Sequence, residues 1–171
     1  MEAVNITTKF TIGSEQGLAA LSYLTRTIAV EKFSGLVPPD VLKGYIQAQF
    51  NDKRLINETN SMSNQWLVVY AGDAPAGYAR ITSEGARPEE LRGKRSIRIA
   101  DFALLKEYDK AEIKQSLFDK CMIACKAYEN IWMKEYKENP CLSFFESAGF
   151  VKQAALFQHT DLPLDVICLI R

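Results

Sequence analysis

The chain is poor in the residues that staple or metallate a small protein. It has one histidine, His159, and four cysteines, Cys121, Cys125, Cys141 and Cys168, with no C-x-x-C pair among them. A zinc site built on paired cysteines is excluded, and a catalytic Cys–His pair has only His159 to draw on. The carboxylates that remain show no recognisable metal-ligand spacing, so no metal is expected. Cys121 and Cys125 stand four apart and share one helical face, as two small buried side chains or as a redox pair. No apolar run approaches the roughly 20 residues that cross a bilayer. Met1 to Asn5 offers no basic start followed by a long apolar stretch, so no secretory signal and a cytoplasmic location are expected. Charge of one sign is also lacking, because 21 Lys+Arg balance 21 Asp+Glu in 171 residues. Nucleic acid and membrane surfaces are therefore not expected partners. Repeats, low-complexity tracts and linkers are absent, and one domain over residues 1–171 is expected, long enough to bury a full core.

What is present is alternating short strands and helices. Val4, Ile6, Thr8, Phe10 and Ile12 alternate as in a half-buried strand. Ser14 is placed to cap a helix whose Leu18, Leu21, Leu24 and Ile28 recur at helical spacing. Pro38-Pro39-Asp40 opens a second helix, with Val41, Leu42, Tyr45 and Ile46 on its apolar side. Residues 51–64 are polar and read as helix passing into loop. Residues 65–70 and 76–82 read as a hairpin around Gly72 and Pro75, and 96–105 as a further strand. Residues 83–95 read as a charged loop. The strongest helix signal spans 111–128, with Leu117, Cys121, Ala124, Cys125 and Tyr128 on one face. A strand over 130–136, a short helix over 140–148 closed by Gly149, and strands over 151–159 and 164–170 complete the chain. The order β-α-α-β-β-β-α-β-α-β-β predicts an α/β (α+β) domain with a mixed, mainly antiparallel sheet.

Three segments carry a resemblance. Trp66-Leu67-Val68-Val69-Tyr70 followed by Ala76-Gly77-Tyr78-Ala79-Arg80-Ile81 resembles the central hairpin of the GNAT N-acetyltransferase superfamily. The strand Ile97–Leu104, running through Glu107-Tyr108 into a helix, resembles that family's donor-binding strand-loop-helix. Ile131-Trp132, Asn139-Pro140 and Phe144-Phe145-Glu146-Ser147-Ala148-Gly149-Phe150 resemble its C-terminal signature. The resemblance implies a sheet of six or seven strands flanked by helices and acetyl-CoA as co-substrate. It implies transfer of an acyl group to a small-molecule or peptide amine, with a homodimer as a common assembly. Two strands splay in that fold, a pantetheine arm enters the gap, and the diphosphate rests on backbone N–H groups at a helix start.

The resemblance implies donor-binding roles for Ala103, Leu104, Leu105, Lys110, Ala111, Ile113, Lys114, Gln115, Asn139 and Phe145, with the N–H groups of 103–105 polarising the thioester carbonyl. The chain departs from the family pattern at five places. Asp109 replaces the Gln/Arg of the diphosphate loop, and Glu112 and Lys114 replace its small residues. A carboxylate beside a diphosphate is repulsive, and Lys110 and Lys114 are the residues that would offset it; otherwise Asp109 and Glu112 simply begin a helix. Phe145 stands where many members carry an acidic tyrosine, and Asn139 comes one residue late, with Glu138 in its place. For the base that frees an amine, Asp101 is the candidate, since burial within an apolar strand would raise its pKa. The alternative is that Asp101 pairs with Arg98, Arg80 or a backbone amide. Glu135 and Tyr136, on the strand that splays, are further candidates. His159, Asp161 and Asp165 fall in the segment that shapes the acceptor end in this fold, and Arg92, Lys94, Arg95 and Arg98 form a basic cluster. Two readings follow: an acyl-CoA-dependent N-acyltransferase, or a catalytically inactive GNAT-fold binding module that has lost its donor.

Overall fold

A computed structural model describes residues 4–158 and 161–171. The expected role of His159 lies outside the described residues. The chain runs β1 (Ile6–Thr11), α1 (Glu15–Phe33), α2 (Pro39–Gln49), α3 (Asp52–Asn60), β2 (Asn64–Ala71), β3 (Ala74–Thr82), β4 (Ser96–Leu104), α4 (Ala111–Cys125), β5 (Asn130–Tyr136), α5 (Leu142–Ser147), β6 (Val151–Gln158) and β7 (Asp165–Ile170). Among the described residues these strands make one seven-stranded sheet in the order β1-β2-β3-β4-β5-β7-β6. Only β4 and β5 pair in parallel. The predicted mixed, mainly antiparallel α/β architecture is the one observed.

The sequence signals work locally as expected at several ends. Ser14 accepts from the Gly17 N–H at the start of α1, and Asn51 accepts from the Arg54 N–H at the start of α3. Gly149, with φ 95°, turns the chain out of α5 into β6, a conformation that suits glycine.

Four expectations are corrected. The stretch after Asn51 is helix to Asn60 and then loop, as read, but the predicted element order omits this third helix. Only Leu55 is buried there, so its apolar face is too narrow to announce itself. The long helix stops at Cys125 rather than Tyr128, because the Glu129 and Asn130 N–H groups both turn to the Arg95 carbonyl and start β5 beside β4. Val41 is exposed on α2, and Val4 and Ile12 lie beyond the ends of β1. Residues 83–95 hold a short 3-10 turn at Glu89–Leu91 whose Leu91 is fully buried.

Side chains alternate across the sheet and make two cores. One face packs α4 and α5 on Leu67, Val69, Ile99, Phe102, Met133 and Leu169. The other packs α1 and α2 on Trp66, Val68, Tyr78, Ala103, Tyr136 and Val166. Gly77, opposite Leu104, permits a close approach of β3 to β4. A Cβ there would sit 2.6 Å from the Ala103 carbonyl oxygen and 2.9 Å from Leu104 Cγ. Glycine thus fixes the position of the strand that borders the cleft.

Candidate active-site cleft

The cleft begins where a strand pair ends. β4 and β5 are in register only at Ser96 with Asn130, Ile97 with Ile131 and Arg98 with Trp132. Beyond those residues β5 follows β7, from Trp132 opposite Ile170 to Tyr136 opposite Val166, and the two parallel strands diverge. On its other side β4 stays paired with β3, and the Leu105 N–H donates to the Ala76 carbonyl at 2.9 Å. By antiparallel alternation the Ala103 backbone also faces β3, while Phe102 and Leu104 turn their backbone groups toward the gap. The expected row of free N–H groups at 103–105 is corrected: Leu105 is committed to β3, and Leu104 borders the opening.

Two cavities meet in this wedge. The larger, of about 370 Å³, is bounded by the end of α1 (Glu31, Lys32, Gly35, Leu36), by Phe102–Leu104, by Lys106 and Asp109, and by Tyr136 and 138–141. The smaller, of about 60 Å³, lies deeper against Tyr45, Tyr78, Asp101, Lys134, Glu135 and Tyr136. Lys32 and Tyr136 line both. The Lys32 ammonium stands 5.2 Å from the centre of the Tyr136 ring.

Glu135 is the chemically distinctive group. Its side chain is buried, and its Oε2 accepts a hydrogen bond from Asn139 Nδ2 at 2.7 Å. Burial pushes its carboxyl above the ordinary glutamate range, while Lys32 and the Asn139 bond pull the other way. The Asn139 Oδ1 in turn accepts from the Cys141 N–H at 2.8 Å, ahead of α5. Both ends of this amide are used within the chain, so Asn139 borders the cleft as the support of Glu135. Burial raises the phenols of Tyr45, Tyr78 and Tyr136, so all three remain protonated at neutral pH.

Asp101 lines the smaller cavity, as expected, but with a partner. Its Oδ2 accepts from Arg80 Nε at 2.9 Å, and Arg80 Nη1 reaches Glu58 Oε2 at 3.0 Å. The ion-pair alternative weighed for Asp101 is the arrangement present. Its side chain is also 26% exposed, so the premise of burial within the strand is corrected.

The expected donor-side residues disperse. Ala103, Leu104 and Asn139 border the cleft. Lys110 and Ala111 are exposed at the start of α4, and Ile113 is buried in the core. Glu112 and Gln115 face a separate groove against Ile6 and Thr8, and Gln115 donates to Asp119. The repulsion expected from the Glu112 carboxylate is therefore directed away from the cleft. Lys114 pairs with Asp109 at 2.6 Å and lies 5.7 Å from the Phe144 ring centre. Phe145 is fully buried, stacked edge-on against Phe102 at 5.4 Å, and does not border the opening.

The basic cluster does not act as one face: Arg92 pairs with Glu89, Arg95 lies over Tyr128, and Arg98 lies over Trp132. Asp165 accepts from Gln158. All four cysteines are free thiols. Burial raises the Cys121 thiol and carries the Cys125 thiol up to about 12, which suits buried side chains rather than reactive ones. Among the described residues no group of three His, Cys, Asp or Glu side chains is placed to hold a metal ion. No helix among them is long and apolar enough to cross a membrane.

No family model matches the chain. Solved structures match it over nearly its whole length. The PaiA N-acetyltransferase of Thermoplasma acidophilum, solved in complex with coenzyme A, is 16% identical with a TM-score of 0.73, covering 96% of this chain and 98% of that one. FeeM, an N-acyl amino acid synthase from uncultured soil microbes, is 13% identical at 0.68, covering 98% and 90%. The ribosomal-protein alanine N-acetyltransferase of Escherichia coli is 12% identical at 0.65, covering 97% and 92%. At such identities the match concerns the path of the backbone. The chain is a GNAT-fold protein.

Proposed function

We propose that this chain is an N-acyltransferase that moves an acyl group from a pantetheine thioester of the acyl-CoA kind to an amine. The observation that carries this reading is the buried Glu135, held by Asn139, in a wedge whose β4 edge beyond Arg98 has no strand partner among the described residues. An unpartnered strand edge offers hydrogen bonds to an extended amide-bearing arm. The larger cavity has room for such an arm, and the smaller one places Glu135 and Tyr136 at its inner end. The neighbour solved with coenzyme A supports the same kind of donor.

In this reading Glu135 takes the proton of the incoming ammonium, which frees the nitrogen lone pair for the thioester carbon. The amide bond forms as the carbon–sulfur bond breaks, Tyr136 supplies a proton to the departing sulfur, and the second proton leaving the acylated nitrogen restores the Tyr136 phenol. Desolvation makes Glu135 a stronger base than a solvated carboxylate. Asp101, paired with Arg80, orders the cavity wall instead.

Asp101→Asn is therefore expected to act mainly on stability. It removes a charged hydrogen bond from Arg80, at a cost of about 1–3 kcal/mol in urea unfolding. The turnover rate is expected to fall less than tenfold. A fall as steep as that expected for Glu135 would return the base to Asp101.

The second reading, a binding module without transfer, is favoured by the burial of Phe145, which leaves no phenol at the family's tyrosine position. The deciding experiment offers acetyl-CoA and S-acetyl-pantetheine with a panel of primary amines and follows acetylamide by mass spectrometry. Product with any amine supports transfer. Thioester binding without product, or no binding at all, supports the second reading.

A further inference from the structure

The diphosphate end of an acyl-CoA does not fit this chain as the pantetheine end does. Asp109 borders the larger cavity, and its Oδ1 pairs with Lys114 Nζ at 2.6 Å. Lys114, on the first turn of α4, is thereby neutralised from within, whereas Lys32 and Lys106 line the cavity itself. The backbone is engaged as well. Lys106 N–H donates to the Glu31 carboxylate at 2.9 Å, Tyr108 N–H to Leu105 O at 2.9 Å, Asp109 N–H to Lys106 O at 3.2 Å and Lys110 N–H to Tyr108 O at 2.7 Å. A loop that cradles a diphosphate presents such groups outward. Here Asp109 precedes α4 without capping it, and its carboxylate turns to Lys114 of the first turn, a negative group close to the positive end of the helix.

We infer that Asp109 is a residue that sets donor charge: it takes the place of the donor's anion, so the cleft accepts an acyl-pantetheine arm and gains nothing from the diphosphate beyond it. This rests on the acyltransferase reading and specifies its donor. The donor class is an acyl thioester on pantetheine with little or no negative charge at the position of Asp109. Removing the carboxylate releases Lys114 and removes a like charge at once. Each change is worth several-fold in affinity for a diphosphate at contact distance in a watery setting.

The test is calorimetric titration of the native chain, Asp109→Asn and Glu31→Gln with acetyl-CoA and with S-acetyl-pantetheine. The native chain is expected to bind the two compounds within about threefold of each other. Asp109→Asn is expected to tighten acetyl-CoA about tenfold and to leave S-acetyl-pantetheine unchanged. Glu31→Gln, which weakens the hold on the Lys106 N–H, is expected to shift acetyl-CoA in the same direction by less. S-acetyl-pantetheine binding doubles as a check that each variant is folded. Native binding of acetyl-CoA ten times tighter than S-acetyl-pantetheine, or weaker acetyl-CoA binding by Asp109→Asn, overturns the role of Asp109 and leaves the acyltransferase reading standing. If neither compound binds any of the three proteins, both the role of Asp109 and the acyltransferase reading are overturned.

Discussion

Glu135→Gln is expected to lower acyl transfer by about 10²- to 10⁴-fold, the range for removing a positioned general base. Glutamine keeps the shape and still offers Asn139 an oxygen, so the cleft is expected to retain its thioester affinity. The fall then appears in kcat rather than in KM. The pH profile carries the sign. Burial raises the Glu135 pKa, so the native rate climbs with pH through a limb above the ordinary glutamate range, as the carboxylate forms. The variant lacks that limb. Stability moves the other way. A carboxyl whose folded pKa is raised holds its proton more tightly in the folded state. Its contribution is complete below the unfolded value and is lost as pH rises through the folded one. At neutral pH the buried charge is a burden, and Glu135→Gln is expected to melt at a higher temperature than the native chain. A variant that is inactive but less stable at neutral pH would instead mark Glu135 as a structural group.

The backbone path was more legible than the chemistry. Strong periodicity places α1 and α4 because their apolar faces recur over several turns. The hairpin and β5 are equally plain, because their strands are buried on both faces and read as apolar runs. Long-range partners decide what periodicity does not. Tyr128 suits the face of α4, yet the Arg95 carbonyl draws the chain out before it. Glu135 follows Lys134 at the end of the apolar run Ile131–Met133, and nothing local says whether it meets solvent, a cation or a cavity. Its role follows from the divergence of β4 and β5, which belongs to the sheet rather than to either strand. Asn139, expected on the donor side, instead lies four residues beyond Glu135 and reaches back to it. Asp109 and Lys114 stand five apart, a spacing that does not stack on a helix. They meet because Asp109 precedes α4 and folds over its first turn.

Phe145→Tyr is expected to destabilise the chain and to gain no rate, although it restores the phenol that the family pattern carries. The Phe145 ring is sealed among Phe102, Phe144 and Phe150, at centre distances of 5.4, 5.8 and 6.0 Å. Phe118 closes the same cluster against Phe102, Phe144 and Phe150. Such edge-to-face contacts add to the burial of the rings themselves. A hydroxyl added among them has no partner, and an unpaired buried donor costs about 1–3 kcal/mol. Removing the ring is worse: Phe145→Ala is expected to cost about 3–5 kcal/mol, the range for a buried Phe→Ala change. At about 2–4 °C per kcal/mol for a chain of this size, the alanine variant is expected to melt roughly 6–20 °C lower. Thermal unfolding of the three proteins, with acyl transfer measured below their transitions, checks both statements. The rate matters most. Phe145 lies on the core side of β4, whereas Tyr136 borders both cavities, so a phenol at 145 has no path to the leaving sulfur. A rate increase in Phe145→Tyr would show that α5 can turn its buried face into the cleft, and would move the proton donor from Tyr136 to the family's position.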